Sequence, residues 1–159
     1  MPLSNRYLWS KVLPMLRSFT STDLLSVQNW FTESETRRWL GDISWLGNSL
    51  RLANKNKNRH VLAFIEENLV VAMVDVECAS DGRAFLALVV DPKIRRRGVG
   101  RSVLKSLLTY PAFAEIREFC GGVEKGNLAS AALMKSLGFT PGSNEPDKDG
   151  FTDFIFHRE

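Results

Sequence analysis

Residues 60–108 change their hydrophobic period part-way, and this change restricts the possible folds strongly. Three apolar runs at residues 60–65, 69–79 and 84–91 are rich in Val, Leu and Phe, and short turn sequences separate them. From residue 98 to residue 108 the apolar side chains recur at helical spacing instead. The pattern predicts an antiparallel meander of three strands whose last strand leads, through a loop that contains glycine, into a helix.

The remaining segments predict a mixed order of strands and helices. Ser21, Thr22 and Asp23 supply helix N-cap chemistry, and a glycine follows two of the predicted helices. Further strands are predicted over residues 13–19, 116–123 and 151–157, further helices over residues 21–31, 34–40 and 127–137, and a polar loop over residues 54–59. Because strand and helix alternate only in the second half, the order indicates the α+β class.

Length and composition are those of a globular domain. The chain has 159 residues without a recognisable linker, so we expect a single domain over residues 1–159, in which residues 1–12 have no assigned place. With 44% hydrophobic and 25% charged residues it is neither wholly disordered nor collagen-like. Its apolar runs are far shorter than the roughly 20 residues that cross a bilayer. Arg6 and Lys11 leave no room between them for the apolar part of a secretory signal. We therefore expect a cytoplasmic protein with no membrane partner.

Charge is concentrated in one segment of the chain. The net charge is +3, and residues 92–114 contain six cations and no acid. Such a block favours an anionic ligand. Nucleic acid is not the expected partner, because no aromatic side chains alternate with these cations as in a stacking platform. Cys78, Cys120, His60 and His157 have no metal-ligand spacing, so no metal site is expected.

The segment from Val90 to Ser102 combines a strand end, two glycines and a helix start. A helix N-terminus leaves backbone N–H groups unpaired and carries partial positive charge, and glycine lets phosphate oxygens approach the backbone closely. The segment therefore predicts a pyrophosphate cradle. It lacks the Lys-Ser/Thr of a Walker loop and the third glycine of a dinucleotide-binding loop, so nucleotide hydrolysis and hydride transfer are not supported.

This cradle resembles the acetyl-CoA-binding signature of the GNAT superfamily of N-acetyltransferases. The signature Arg/Gln-x-x-Gly-x-Gly/Ala is met at Arg95, Gly98 and Gly100, and residues 88–92 match the family's Leu-x-Val-x-Pro strand ending. Residues 127–139 are similar to its Asn-x-x-Ala-x-x-x-Tyr-x-x-x-Gly-Phe element. The first half shows a weaker resemblance to the branch with aminoglycoside and ribosomal-protein acetyltransferases.

The resemblance implies a fold and an activity. The fold is the GNAT fold, a mixed and mostly antiparallel sheet of about seven strands with about four flanking helices. The activity is acetyl transfer from acetyl-CoA to a primary amine by direct attack in a ternary complex. A small-molecule amine is slightly favoured over a protein N-terminus, and a homodimer is left open. The alternative is a CoA- or acyl-CoA-binding module or sensor without turnover.

The resemblance also implies site residues. The cofactor would contact Leu88, Val89, Val90, Arg95, Arg96, Arg97, Gly98, Val99, Gly100, Arg101, Ser102, Asn127 and Met134. The backbone N–H of Val89 or Val90 would donate a hydrogen bond to the thioester carbonyl oxygen. Val90 is the candidate of the two. Met134 stands where the family tyrosine supplies a proton, and a thioether has no proton to give; the Ser130 hydroxyl is a possible relay.

Asp75 is the candidate base on the acceptor side. Residues 84–90 contain no acid, and strand alternation places Asp75 and Glu77 on one face of the preceding strand. If that face lines the cleft, Asp75 holds or deprotonates the amine. The alternative for both residues is a solvated strand end, and it is the favoured interpretation for Glu77.

Overall fold

A seven-stranded mixed sheet organises the chain. The computed structural model describes residues 13–159, and the strand order across the sheet is β1-β2-β3-β4-β5-β7-β6. The strands are β1 (Met15–Ser18), β2 (Arg59–Glu66), β3 (Leu69–Cys78), β4 (Arg83–Val90), β5 (Glu118–Glu124), β6 (Thr140–Pro141) and β7 (Phe151–His157). Within residues 13–159, only the β4–β5 pair is parallel. The predicted α+β sheet is confirmed.

Five helices lie within residues 13–159, one more than predicted. They are α1 (Ser21–Val27), α2 (Ser34–Leu40), α3 (Ser44–Lys55), α4 (Val99–Leu108) and α5 (Leu128–Ser136). The predicted helix over residues 21–31 ends early, and a 3₁₀ turn continues it from Gln28 to Thr32. No helix in this part of the chain is both long and apolar enough to span a membrane.

The helices cover the two faces of the sheet separately. Leu104 of α4 and Met134 of α5 pack in one apolar cluster with Val74 and Phe119. Val27 of α1 and Leu46 of α3 pack in a second cluster with Met73 and Val89. Because side chains alternate along β3, neighbouring residues such as Met73 and Val74 enter different clusters. The sheet therefore separates a face covered by α4 and α5 from a face covered by α1, α2 and α3.

Helix α3 is absent from the sequence prediction. Its residues include Gly47, Asn48 and Asn54, which are poor helix formers, and part of it falls in the tract predicted as a loop. Ile43 is the N-cap and makes no side-chain cap, and the Asp42 side chain accepts a hydrogen bond from the Ser44 N–H at 2.8 Å in the turn that leads into the helix. Burial of Leu46 against the sheet then stabilises the helix. The spacing of Leu46, Leu50 and Ala53, three residues of the second cluster, is the helical signal in the sequence.

Candidate active site

The parallel strands β4 and β5 separate before they end. Their pairing runs from Arg83–Glu118 to Leu86–Gly121, whereas β4 continues to Val90 beside β3. The last residues of the two strands, 86–90 and 122–124, therefore line opposite walls of a cleft of about 610 Å³. The remaining walls come from helices α2, α4 and α5, from the loops before α4 and α5, and from the start of β7.

Backbone alternation in β4 distinguishes Val90 from Val89. The N–H of Asp91 donates to the Val71 carbonyl at 2.9 Å, and backbone groups of an antiparallel pair face the partner strand at every second residue. The backbone of Val89 therefore faces β3, and that of Val90 faces the separated end of β5. Of the two residues considered from the sequence, Val90 is the one with an N–H directed into the cleft.

Helix α4 begins at this cleft with unpaired backbone donors. Gly98 is its N-cap with φ of +81°, a left-handed conformation that side chains rarely adopt. The Ser102 N–H makes the first intrahelical hydrogen bond, to the Gly98 carbonyl at 3.1 Å. The N–H groups of residues 99–101 precede it and have no acceptor within the helix. This end of α4 therefore offers several donors and the positive end of the helix dipole to an anion.

Gly100 lets α4 approach its neighbours closely. A methyl group at this position would lie 3.0 Å from Leu133 Cδ2 of α5, and 3.7 and 3.8 Å from Leu88 and Val90 side-chain carbons. A larger residue would press the start of α4 away from α5 and β4. The second glycine of the motif thus has a packing role in addition to the phosphate approach predicted from the sequence.

The arginines of the loop differ in their contacts. Arg96 lines the cleft and has a left-handed backbone with φ of +65°. Arg101 also lines the cleft and donates to the Ser136 carbonyl and hydroxyl of α5. Arg95 lines the cleft but its guanidinium is bound to acidic side chains at the start of α2. Arg97 is exposed. Arg96 and Arg101 are therefore the cleft arginines without a carboxylate partner among residues 13–159.

The N-terminal turns of α5 form the opposite wall. Asn127 caps the helix, and its Oδ1 accepts a hydrogen bond from the Ser130 N–H at 3.2 Å. Ser130 and Met134 line the cleft beyond it. Met134 is 8% exposed and occupies the space over Gly121, where a methyl group would lie 2.5 Å from its Cε. Met134 thus packs as a core residue while it closes one side of the cleft.

The structure brings together most of the predicted site residues. Leu88, Val89, Val90, Arg95, Arg96, Gly98, Arg101, Asn127, Ser130 and Met134 line the cleft. Arg97, Val99, Gly100 and Ser102 belong to the same loop and helix start but do not line it, and Val99 is buried in the core.

Asp75 lies apart from the cleft. It is 4% exposed, and it accepts hydrogen bonds from Arg59 Nη2 at 2.6 Å, Arg59 Nε at 2.9 Å and Ser49 Oγ at 2.8 Å. The carboxylate in turn raises the pKa of Arg59. Helix α3 covers this pair through Ser49. The expectation that Asp75 faces the acceptor amine does not fit this position, because a cation already occupies both carboxylate oxygens.

The structure adds cleft residues that the predicted site did not include. Trp39 and Leu40 of α2, Glu124 at the end of β5 and Phe151 at the start of β7 line the same cleft. A methyl at Gly122 would face Asp153 and Phe151, whereas one at Gly121 would face Met134. Because Glu124 shares its face with Gly122, its side chain projects away from α5, to the face that carries α2. Glu124 forms no ion pair with any residue in the described part of the chain.

Comparison with known proteins decides the family. A model of the acetyltransferase (GNAT) family matches residues 24–139. The chain belongs to the GNAT acetyltransferase family. This GNAT chain is also 32% identical over 133 residues to the uncharacterized N-acetyltransferase YfmK of Bacillus subtilis (strain 168), covering 84% of this chain and 89% of that relative. The resemblance drawn from Arg95, Gly98 and Gly100 is confirmed.

Two solved structures share the fold of this acetyltransferase. An acetyltransferase from Thermus thermophilus has a TM-score of 0.77 at 15% identity, with 93% of this chain and 99% of that chain covered. The aminoglycoside acetyltransferase AAC(6′)-Ib in complex with coenzyme A has a TM-score of 0.77 at 14% identity, with 92% and 95% covered. At such identities the likeness shows the fold alone.

The residues of the cleft fit acetyl-CoA, the cosubstrate of this N-acetyltransferase. The start of α4 and the arginines Arg96 and Arg101, which form no ion pair within residues 13–159, suit a pyrophosphate, and the apolar walls of Leu88 and Met134 suit a thioester chain. Within residues 13–159 no group of three or more His, Cys, Asp or Glu side chains is arranged to bind a metal ion.

Proposed function

We propose that this enzyme acetylates a primary amine of a cationic small molecule by direct attack in a ternary complex. The observation that carries the proposal is the cleft itself, which joins the α4 loop to a separate wall formed by Trp39, Leu40, Phe151 and Glu124. Its volume of about 610 Å³ is typical of small-ligand sites. The structural similarity to an aminoglycoside acetyltransferase adds support.

The backbone N–H of Val90 is the proposed hydrogen-bond donor to the thioester carbonyl oxygen. Acetyl-CoA supplies an activated acetyl thioester. Negative charge develops on its carbonyl oxygen as the amine attacks, and a backbone N–H fixed by the sheet stabilises that charge without reorganisation. The support is the direction of the Val90 N–H, which follows from the register of β4 with β3.

Glu124 is the proposed acceptor of the amine proton. An alkylamine is protonated at neutral pH and must lose a proton before it attacks. Of the two carboxylates in the cleft walls, Glu35 is bound by Arg95 at 2.9 Å, and Glu124 has no cationic partner among residues 13–159. Glu124 also lies on the α2 face, away from the helices of the cofactor.

Substitution of Glu124 by glutamine tests this role. Glu124→Gln keeps the size of the side chain and removes its basicity, so we expect kcat/KM for the amine to fall about 100-fold at neutral pH. The dissociation constant of CoA, measured by calorimetry, should stay unchanged. Glu118→Gln is the matched control, since Glu118 lies on the same face of β5 at its other end. Equal activity of the two variants would contradict the role of Glu124.

The departing thiolate has no dedicated acid in this proposal. Met134 holds the position of the family tyrosine and offers no proton. The Ser130 hydroxyl lines the cleft beside it and is the proposed relay to water. Replacement of Ser130 by Ala should then lower kcat modestly without weakening CoA binding.

A CoA-binding sensor without turnover is the second candidate. It is favoured by one observation, the methionine at the tyrosine position. A single assay distinguishes the two candidate functions. The protein is mixed with acetyl-CoA and with aminoglycosides, polyamines or a peptide with a free N-terminus, and the release of free thiol is measured. Thiol release with the first two amine classes supports the proposed enzyme, and CoA binding without release in any mixture supports the sensor.

The cytoplasm is the proposed location. Cys78 and Cys120 are both unpaired, and burial raises the pKa of each thiol, so that both remain protonated and unreactive. Cysteines that form no disulfide suit a reducing compartment.

A further inference from the structure

Arg95 of the acetyl-CoA signature binds helix α2. Its Nη1 donates to Glu33 Oε2 at 3.1 Å and to Glu35 Oε2 at 2.9 Å, and its Nη2 donates to Thr36 Oγ1 at 2.7 Å. About 60 residues of sequence separate these partners, so the contact joins two distant parts of the chain. The Arg95 side chain is only 29% exposed.

Each hydrogen bond around Arg95 has a defined donor and acceptor. Thr36 is 2% exposed, and its hydroxyl donates to Glu33 Oε2 at 3.0 Å. The Thr36 Oγ1 atom is then free to accept the hydrogen bond from Arg95. Glu33 is the N-cap of α2 and also accepts from the N–H groups of Glu35 and Thr36. Burial raises the pKa of Glu33, but these hydrogen bonds outweigh burial and keep the pKa below its usual value. The carboxylate is therefore held in its charged form beside the guanidinium.

The Arg95 guanidinium lies at the N-terminus of α2, where a positive charge is normally unfavourable. A positive charge at a helix N-terminus is opposed by the helix dipole. Glu33 and Glu35 offset that cost, and the fork of the guanidinium uses both amino nitrogens on α2. Arg96 and Arg97, which follow in the same loop, make no ion pair within residues 13–159. Of these three arginines, Arg95 alone is bound to the start of α2.

We propose that Arg95 is a positioning residue that couples the cofactor loop to the acceptor wall. Arg95 lies three residues before Gly98, the N-cap of α4, and α2 carries Trp39 and Leu40 into the cleft. Ordering of the loop by a bound pyrophosphate then orders α2, and by reciprocity an acceptor that contacts α2 strengthens cofactor binding. The inference goes beyond the proposed function, because it holds for any amine acceptor.

Hydrogen–deuterium exchange tests the coupling without any acceptor. The amides of residues 37–41, which cover the last turn of α2 and its C-cap, are followed with and without saturating CoA, whose binding is measured separately by calorimetry. In the unchanged protein we expect CoA to slow their exchange by at least about fivefold, the lower end of ordinary coupling between sites. In Arg95→Ala, CoA should still bind and exchange in α2 should no longer respond. Arg97→Ala is the matched control, because it removes an arginine of the same loop and should keep the response.

A second variant separates coupling from direct phosphate binding. Glu33→Gln keeps Arg95 and an amide oxygen for the cap, but it removes one of the two carboxylate charges that hold the guanidinium and leaves Glu35 as the other. We expect it to bind CoA and to lose most of the response in α2, whereas Arg95→Lys should recover part of it. The proposal is overturned if CoA leaves α2 exchange unchanged in the native protein. It is also overturned if Arg95→Ala loses CoA binding while Glu33→Gln keeps the full response, since Arg95 is then a phosphate ligand.

Discussion

At the scale of single residues, hydrogen-bond partners determine which carboxylates are available for chemistry. Asp75 is enclosed by Arg59 and Ser49, whereas Glu124 faces the cleft. Both residues lie on strands, and strand alternation alone predicts only which face each occupies. The distinction between a structural and a reactive carboxylate therefore depends on the partner that the fold supplies.

Asp75→Asn should lower the stability of the fold and leave kcat nearly unchanged. The substitution leaves Arg59 without its counter-charge, and we expect the free energy of unfolding to fall by about 2 kcal/mol. This is less than for a fully buried pair because the Arg59 side chain keeps 19% exposure. Urea unfolding measures the loss, and kcat of the folded variant should stay within about threefold of the native value. A 100-fold lower kcat with unchanged stability would restore Asp75 as the base.

Val90→Pro removes the proposed oxyanion donor. Proline lacks an N–H, and the register predicts that this N–H makes no bond to β3, so the strand should survive the change. We expect kcat to fall about 100- to 1000-fold with CoA binding retained. Val89→Pro is the control, since it removes an N–H that faces β3 and should mainly lower the melting temperature. Equal kinetics of Val90→Pro and the native enzyme would exclude this donor.

At the scale of secondary-structure elements, local capping and long-range packing differ in how well they can be predicted. Ser21, Thr22 and Asp23 predict the start of α1, and the helix does begin at Ser21, but its N-cap is Thr20, whose N–H donates to Asp23 Oδ2 at 2.8 Å. Helix α3 escapes prediction because burial of Leu46, rather than its own composition, stabilises it. Signals within a few residues of each other are visible in a sequence, whereas burial depends on the sheet that forms later.

The cap of α1 predicts a pH dependence of stability. Hydrogen bonds from Arg17 lower the pKa of Asp23 against the effect of burial. A lowered pKa means that the native state favours the charged form, so its stabilisation is present above the usual pKa of about 4 and is lost as pH falls through the lower native value. We expect Asp23→Asn to cost about 1–2 kcal/mol at pH 7. The difference from the native protein should shrink below about pH 4 in urea unfolding.

An exposed aspartate before another helix provides the comparison for Asp23. Asp42 lies in the turn before α3, and hydrogen bonds from Ser44 lower its pKa. Asp42→Asn should therefore show a smaller cost with the same pH dependence, because solvent screens its charge. A cost of Asp23→Asn that does not change between pH 7 and pH 3 would contradict the assigned pKa direction.

At the scale of the whole molecule, the cofactor side and the acceptor side arise in different ways. The loop from Arg95 to Gly100 and the start of α5 are short continuous segments, so their spacing identifies the family. The acceptor wall is assembled from α2, β5 and β7, which meet only because β7 pairs with β5 and α2 docks on the cofactor loop. Trp39, Glu124 and Phe151 share no local pattern, and topology alone brings them together.

Release of thiol from acetyl-CoA, measured together with the mass of the amine product, tests the central claim most directly. The native enzyme should release no thiol with acetyl-CoA alone. With a small cationic amine it should release one thiol for each N-acetylated product, because attack occurs within the ternary complex. A burst of thiol with an acetylated protein in the absence of amine would contradict direct transfer. Tight CoA binding without release across all amine classes would contradict the assignment of this cleft as an acetyltransferase active site.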